Sequence, residues 1–173
     1  MNKKKKLYVG KYLLLAGLAL LLTAGGIFWY LFQEKRDEAK IIRNLQTLAA
    51  DLSKSSEENP AITLLKIKSC SDAFAFPSTI SFGKNHSNEY DRERLTSSIS
   101  RYRALFKELN ISISDIQVTL KDSENADVIF SGQYTAESKL GSSHSDVNDV
   151  TAVMVKVDGS WKIKDLHLSK VLH

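Results

Sequence analysis

The stretch VKVDGSWKIKDLHL (Val155–Leu168) carries the pattern that decides the fold. Apolar and polar residues alternate on both sides of DGS, which is typical of a tight turn between two antiparallel strands. An earlier stretch, ADVIFSGQYTAES (Ala126–Ser138), alternates in the same way, and DSEN before it is typical of another hairpin turn. Together with alternation at 116–120 and VTAVMVKV at 150–157, these stretches predict a meander of four antiparallel strands.

Before residue 110 the apolar residues recur at the spacing of helices. The stripe from Ala39 to Leu52 repeats every three or four residues, which predicts an amphipathic helix over about 34–55. Pro60 suits the first turn of a second helix, over about 60–71. A third helix is predicted within 88–109, where five apolar residues recur at the same spacing: Leu95, Ile99, Tyr102, Phe106 and Leu109.

Between these helices the pattern is less regular. FAFPSTISF (Phe74–Phe82) is rich in aromatic and β-branched residues, but Pro77 favours an edge strand or an irregular crossing over a central strand. The segments 83–89 and 137–149 are interpreted as polar loops. The order is then helix, helix, short strand, helix and four-strand meander, which predicts an α+β fold with helices on one face of a curved sheet.

This order and the two quoted stretches resemble the nuclear transport factor 2-like superfamily, which includes SnoaL-like domains. The resemblance covers about 34–172, and it implies a cone-like, curved antiparallel sheet packed against three helices. That superfamily contains isomerases, dehydratases, hydrolases, ligand-binding domains and structural modules. Its fold alone therefore does not select a function.

The N-terminal residues predict a membrane anchor. YLLLAGLALLLTAGGIFWYLF (12–32) is 21 residues long and uncharged, which is enough to cross the hydrocarbon core of a bilayer as a helix. All five lysines of the first 32 residues precede it, so residues 1–11 should form a cytoplasmic basic tail and 33–173 an extracytoplasmic domain. A cleaved signal peptide is the alternative, with LTAGG (22–26) as its cleavage region.

The charge distribution argues against nucleic-acid binding. The chain has a net charge of +4, but 19 basic residues face 20 acidic ones once the first 32 residues are set aside. Cys70 is the only cysteine, so an intrachain disulfide is excluded. Four scattered histidines show no metal-ligand spacing, and the glycines after residue 32 are isolated, so neither a metal nor another cofactor is predicted.

No catalytic motif stands out, and the candidate site residues are polar residues that a cone could gather: Asp72, His86, Tyr90, Tyr134, Asp165 and His167. Asp165 and His167 alternate with Leu166 and Leu168 in the last strand. Regular alternation after Ile163 would turn the polar pair inward, whereas one bulge there would bury the leucines instead. We expect the bulge, because burying two leucines stabilises the fold and burying an unpaired carboxylate does not.

Two functions remain after these arguments. The anchor and the absence of a convergent polar motif favour a membrane-anchored, non-catalytic interaction or assembly module of a bacterial-type cell envelope. The alternative is a small-molecule-binding domain or an acid/base enzyme of the SnoaL-like isomerase or hydrolase type, with its site in the cone. A homodimer or another envelope protein is a possible partner, because VTAVMVKV is apolar on both of its faces.

Overall fold

The computed structural model describes residues 33–83 and 86–170. Over these residues, no helix is both long enough and apolar enough to span a membrane. The predicted span at 12–32 lies outside the described residues, so the anchor stays a prediction. By its internal contacts the chain divides into Met1–Asp37 and Glu38–His173, and residues 33–37 of the first unit are helical.

The described chain folds into three helices and one mixed sheet. The helices are α1 (33–52), α2 (Pro60–Asp72) and α3 (Arg92–Leu105). The strands are β1 (Phe74–Phe82), β2 (His86–Tyr90), β3 (Phe106–Leu120), β4 (Asn125–Ser138), β5 (Ser143–Val157) and β6 (Ser160–Lys170). The sheet order is β2-β1-β6-β5-β4-β3, in which β1 and β6 are parallel and the other pairs are antiparallel. The α+β prediction and the C-terminal meander are confirmed, but the expected antiparallel sheet is mixed, because β1 runs parallel to β6.

The first two helices begin and end close to the predicted positions. Asn59 caps α2 by accepting a hydrogen bond from the Ala61 amide, and Pro60 occupies the first turn. The apolar stripe of α1 packs into one core with residues from all three helices and from β1, β4, β5 and β6, which include Ile41, Leu45, Ile67, Leu95, Val128, Met154 and Trp161.

The third helix is shorter than the sequence pattern predicts. It ends at Leu105, and Phe106 and Leu109 belong to β3. Its buried residues are Leu95, Ile99 and Arg103, whereas Tyr102 is 43% exposed. The helical spacing of apolar residues continues into β3 only by coincidence. Leu109 is buried because of its position in the strand, and it does not belong to the apolar face of α3.

Arg103 of α3 is buried, and its charge is compensated by a cluster of polar and charged groups around it. Arg103 donates to a carboxylate oxygen of Glu58 and to the backbone carbonyl of Asp51. Glu58 also accepts hydrogen bonds from Lys66 at 2.8 Å and from Thr63 at 2.7 Å. The loop between α1 and α2 is thereby attached to α3, and an apolar stripe alone does not explain this helix.

The segment around Pro77 forms an inner strand, so the edge-strand interpretation is wrong. β1 lies between β2 and β6. Its register with β6 shifts between Phe74 and Thr79, and its pairing with β2 begins at Ser78. Pro77 therefore falls where the ladder is interrupted, which is the irregularity that its missing N–H requires.

Both predicted polar loops are largely strand. His86–Tyr90 pairs with β1 and forms the edge strand β2, and four of its five residues are exposed. The predicted loop 137–149 shrinks to a turn between Ser138 and Ser143, because β4 and β5 pair up to Glu137↔Ser143. Backbone hydrogen bonds hold these ladders, so the side chains need not show an apolar alternation.

The predicted bulge after Ile163 is present. Met154 of β5 pairs with Ile163, whereas Val153 pairs with Asp165, so Lys164 is the extra residue. Trp161 and Ile163 are buried before the bulge, and Leu166 and Leu168 pack against the core after it. Asp165 and His167 consequently lie on the outer face of the sheet.

Candidate functional site

On the inner face of the sheet, which packs against the helices, a half-buried patch on β4 lies between buried residues, since Phe130 on one side of it and Ala136 on the other are 8% and 2% exposed. On β4 and β5, Phe130 and Val150 are buried at 8% and 4% exposure. Beyond them the inward-facing positions Gly132 and Tyr134 on β4, and Asp146 and Asn148 on β5, are only half-buried. We call these four residues, together with Tyr102 of α3, the open inner surface.

The pairing of β4 and β5 holds the polar groups of this surface together. Gly132 lies opposite Asn148, and Tyr134 lies opposite Asp146, with no register shift between the two pairs. Directly opposed residues in an antiparallel ladder are roughly 5 Å apart. The amide, the phenol and the carboxylate are therefore neighbours on one face of the sheet.

Gly132 contributes no side chain of its own to the middle of this surface. A Cβ added there would meet a Val150 methyl carbon at 3.4 Å and the carbonyl oxygen of Asn148 at 3.9 Å. That is ordinary contact, so the backbone does not demand glycine at this position. The missing side chain leaves room between the Tyr134 and Phe130 positions on the same strand.

Tyr102 brings a second phenol to the open inner surface from α3. Its ring packs edge-on against Phe106, with ring centroids 5.1 Å apart and planes at 70°. Burial raises the pKa of the Tyr102 hydroxyl, and the nearby Tyr134 raises it further by repulsion between the charged forms. Tyr102 is thus a neutral phenol at physiological pH and can donate a hydrogen bond to a ligand oxygen.

The carboxylate of Asp146 is only partly engaged by the protein. One of its oxygens accepts a hydrogen bond from the Val147 amide at 2.9 Å. A carboxylate has about four acceptor positions, so Asp146 keeps acceptor capacity beside Tyr134. The surface therefore combines phenol donors, an amide and a carboxylate acceptor next to aromatic and apolar side chains.

Of the predicted candidates, only Tyr134 belongs to this surface. Asp72 lies at the end of α2, where it is exposed and forms an ion pair with Arg92. Asp165 and His167 lie on the opposite face of the sheet, across from Val153 and Thr151 of β5.

The other two candidates lie on the edge strand. His86 is exposed at the start of β2. Tyr90 ends that strand and packs under the Arg94 guanidinium, at 5.2 Å from the ring centroid. Neither residue faces the open inner surface, so the polar candidates named from the sequence do not converge.

The residues that sequence reasoning missed depend on the length of β5. Asp146 and Asn148 sit in the segment that the sequence predicts to be a loop, and the spacing of apolar residues in α3 predicts Tyr102 to be a core residue. Residues 146–149 show no alternation of apolar and polar side chains, so their sequence does not indicate which of them face the core. Only the ladder with β4 assigns these residues to a face.

No metal centre is formed by the described residues: over 33–83 and 86–170, no group of three or more His, Cys, Asp or Glu side chains could hold an ion. Cys70 is fully buried, and burial raises the pKa of its thiol to about 12. The thiol is therefore protonated and unreactive at neutral pH.

Three helices against the inner face of a six-stranded curved sheet, with a half-buried polar patch on that face, define the cone-shaped class of nuclear transport factor 2-like domains. The sequence profile of the SnoaL-like domain matches residues 61–173. The chain belongs to the SnoaL-like domain family. No curated protein sequence matches it.

Solved structures with the same fold differ in function. One is a candidate scytalone dehydratase from Novosphingobium aromaticivorans, with a TM-score of 0.69, 15% identity, and coverage of 81% of this chain and 87% of that chain. A hexachlorocyclohexane dehydrochlorinase, LinA type 3 from Novosphingobium barchaimii, has a TM-score of 0.66, 8% identity, and coverage of 82% and 90%. A candidate calcium/calmodulin-dependent protein kinase II association domain from Xanthomonas campestris has a TM-score of 0.56, 20% identity, and coverage of 79% and 86%. At these identities the similarity establishes the fold alone.

Proposed function

We propose that the domain binds a small organic molecule on the open inner surface. The observation that carries the proposal is the pairing of Gly132 and Tyr134 with Asn148 and Asp146, which gathers polar groups around a position without a side chain. Ligand sites are typically concave and apolar with a few convergent polar groups. Two of the three structural neighbours bear the names of enzymes that act on small organic molecules, which supports this function over a purely structural one.

The chemistry of the surface suits a ligand with an apolar or aromatic body and an oxygen acceptor. Tyr102 and Phe106 offer ring edges and faces to such a body. The hydroxyl groups of Tyr102 and Tyr134 would donate to its oxygen, and Asp146 would accept from a hydroxyl. Proton transfer between Asp146 and a bound ligand is the route by which the same site would act as an enzyme.

The test uses the full chain in neutral detergent and a panel of phenols, aromatic ketones and hydroxy acids, with binding detected by saturation-transfer NMR. Gly132→Val should abolish binding, because its side chain fills the free position, and Tyr134→Phe should weaken it. Ser131→Val is the matched control, because the neighbouring residue points to the outer face. Equal binding by the wild type and Gly132→Val would refute the site.

A membrane tether through 12–32 and a second copy packed on the outer sheet face remain proposals alongside this function. The outer face offers Val153, Val155 and Val157 from β5 and Ile129 from β4, and Ile129 is 53% exposed. Contiguous apolar side chains on a sheet face favour a partner. Sedimentation equilibrium of the detergent-solubilised chain should give a dimer that Ile129→Glu dissociates; a wild-type monomer would refute it.

A further inference from the structure

The four arginines of the α3 region have two different environments. Arg92 forms an ion pair with Asp72, and Arg103 forms a buried one with Glu58. Arg94 and Arg101 are exposed, and neither takes part in an ion pair among the described residues. Instead, both line one groove of about 460 Å³ beside α3.

The groove offers several hydrogen-bond donors at once. Its other lining residues are Tyr90, Asp91, Glu93, Ser97 and Ser98. Arg94 and Arg101 are seven residues apart, which places them about 10 Å apart along the helix and on one side of it. Ser97 and Ser98 lie between them, so two hydroxyls and two guanidinium groups border the same space.

Arg94 is already held in place. Its guanidinium lies 5.2 Å from the centroid of the Tyr90 ring and donates to the backbone carbonyl of Glu89 at 3.1 Å. These contacts use one face of the guanidinium plane and one of its N–H donors, and its remaining N–H donors are available to a ligand. A fixed arginine loses less entropy on binding than a mobile one.

The two acidic residues limit which ligands fit. Asp91 caps α3 by accepting from the Arg94 amide at 2.8 Å, so part of its charge is engaged at the helix start. Glu93 lies in the first turn. With two arginines against two acids the groove has no net charge, and attraction of anions in general is not expected. Binding must come from directed hydrogen bonds that the two guanidinium groups donate to a ligand placed between them.

We propose that this groove binds a phosphate group, presented by a small phosphomonoester or by the headgroup of an anionic lipid. The planar guanidinium forks match the tetrahedral oxygens of phosphate, and the two serine hydroxyls complete its acceptors. The groove is separate from the open inner surface, since none of the five residues of that surface lines it.

The test follows backbone amide shifts of the full chain in neutral detergent during titration with inorganic phosphate. Saturable shifts at Tyr90, Ser97, Ser98 and Arg101 are expected. Arg101→Gln should weaken binding at least about tenfold, and adding Arg94→Gln should remove it. The matched control is Lys107→Gln with Lys121→Gln, which removes two exposed charges outside the groove and should leave binding unchanged.

A second arm adds short-chain phosphatidic acid or, as its neutral control, phosphatidylcholine to the micelles. Shifts with free phosphate indicate a phosphomonoester ligand, and shifts with phosphatidic acid alone indicate a lipid headgroup. Failure of both to shift the groove residues would overturn the proposal, as would equal losses in the arginine and lysine variants. The Arg101 side chain makes no hydrogen bond or ion pair among the described residues, so an unchanged melting temperature of Arg101→Gln would show that its effect is on binding.

Discussion

Arg103 forms a buried ion pair with Glu58, which lies 45 residues earlier in the chain; the two side chains are only 2% and 4% exposed. Lys66 binds the same carboxylate, and Lys54 donates to the carbonyl oxygens of Arg103 and Phe106 at 3.3 and 2.6 Å. The loop between α1 and α2 is therefore fixed to the junction of α3 and β3, beside Tyr102.

Loss of this arginine should be strongly destabilising. Arg103→Ala leaves a buried carboxylate with one cation fewer, and breaking a buried pair by removing one partner costs roughly 3–5 kcal/mol. Urea denaturation measures the loss. Arg92→Ala, which breaks the exposed pair with Asp72, should cost no more than about 1 kcal/mol. Equal losses in the two variants would contradict the special role of Arg103.

The same cluster predicts a loss of stability in acid. Burial acts to raise the pKa of Glu58, but hydrogen bonds from Lys66, Thr63 and Arg103 outweigh it and hold the pKa below the usual 4.5. The contribution of Glu58 is therefore complete above pH 4.5 and is lost as the pH falls through the lower, folded-state value. Glu58→Gln should flatten the fall in unfolding free energy with acid. An unchanged slope would exclude this carboxylate as its source.

The bulge at Lys164 predicts which residues of β6 support the core. Leu166 packs against the core, so Leu166→Ala should cost about 2 kcal/mol, the lower end of the range for leucine. Asp165→Asn combined with His167→Ala should change stability by no more than about 1 kcal/mol, because both side chains lie on the outer face. Denaturant midpoints compare the variants. The reverse order would show that β6 runs without the bulge.

The early end of α3 predicts an order of effects for two neighbouring apolar residues. Leu109 is 1% exposed in β3, and Leu109→Ala should cost roughly 2–5 kcal/mol. Phe106 is half-buried and contacts Tyr102, so Phe106→Ala should cost less than the Leu109 change. Thermal or urea unfolding provides the comparison. A larger loss for Phe106 would support the longer helix that the sequence spacing suggests.

The membrane topology predicted from the N-terminal lysines can be checked with cysteine labelling. Cys70 is buried, so a cysteine introduced at Ser142 is the accessible thiol. An impermeant maleimide added to intact spheroplasts should label Ser142→Cys, since the domain is expected outside the cytoplasm. Asn2→Cys, before the predicted span, should be labelled only after lysis. Labelling of position 142 only after lysis would reverse the predicted topology.

The sequence determined the elements that depend on local periodicity. The stripe of α1 and the alternation around Asp158-Gly159 each reflect burial of one face of one segment, and Pro60 suits the backbone of a first helical turn. All three features are found. The turn itself shows the required backbone, with φ of 51° at Asp158 and 76° at Gly159. The bulge was also predictable, because burying leucine stabilises the fold, whereas burying an unpaired aspartate carboxylate destabilises it.

The tertiary structure alone decided the features that rest on pairing between distant segments. Asp146 and Asn148 gain a face only from the ladder with β4, and polar strands such as β2 are held by backbone bonds that leave no side-chain pattern. In the sequence nothing distinguishes Arg103 from a surface residue, and only the folded chain shows that it forms a buried ion pair with Glu58. Both kinds of interaction join segments far apart in the chain, and residue spacing within one segment carries no information about them.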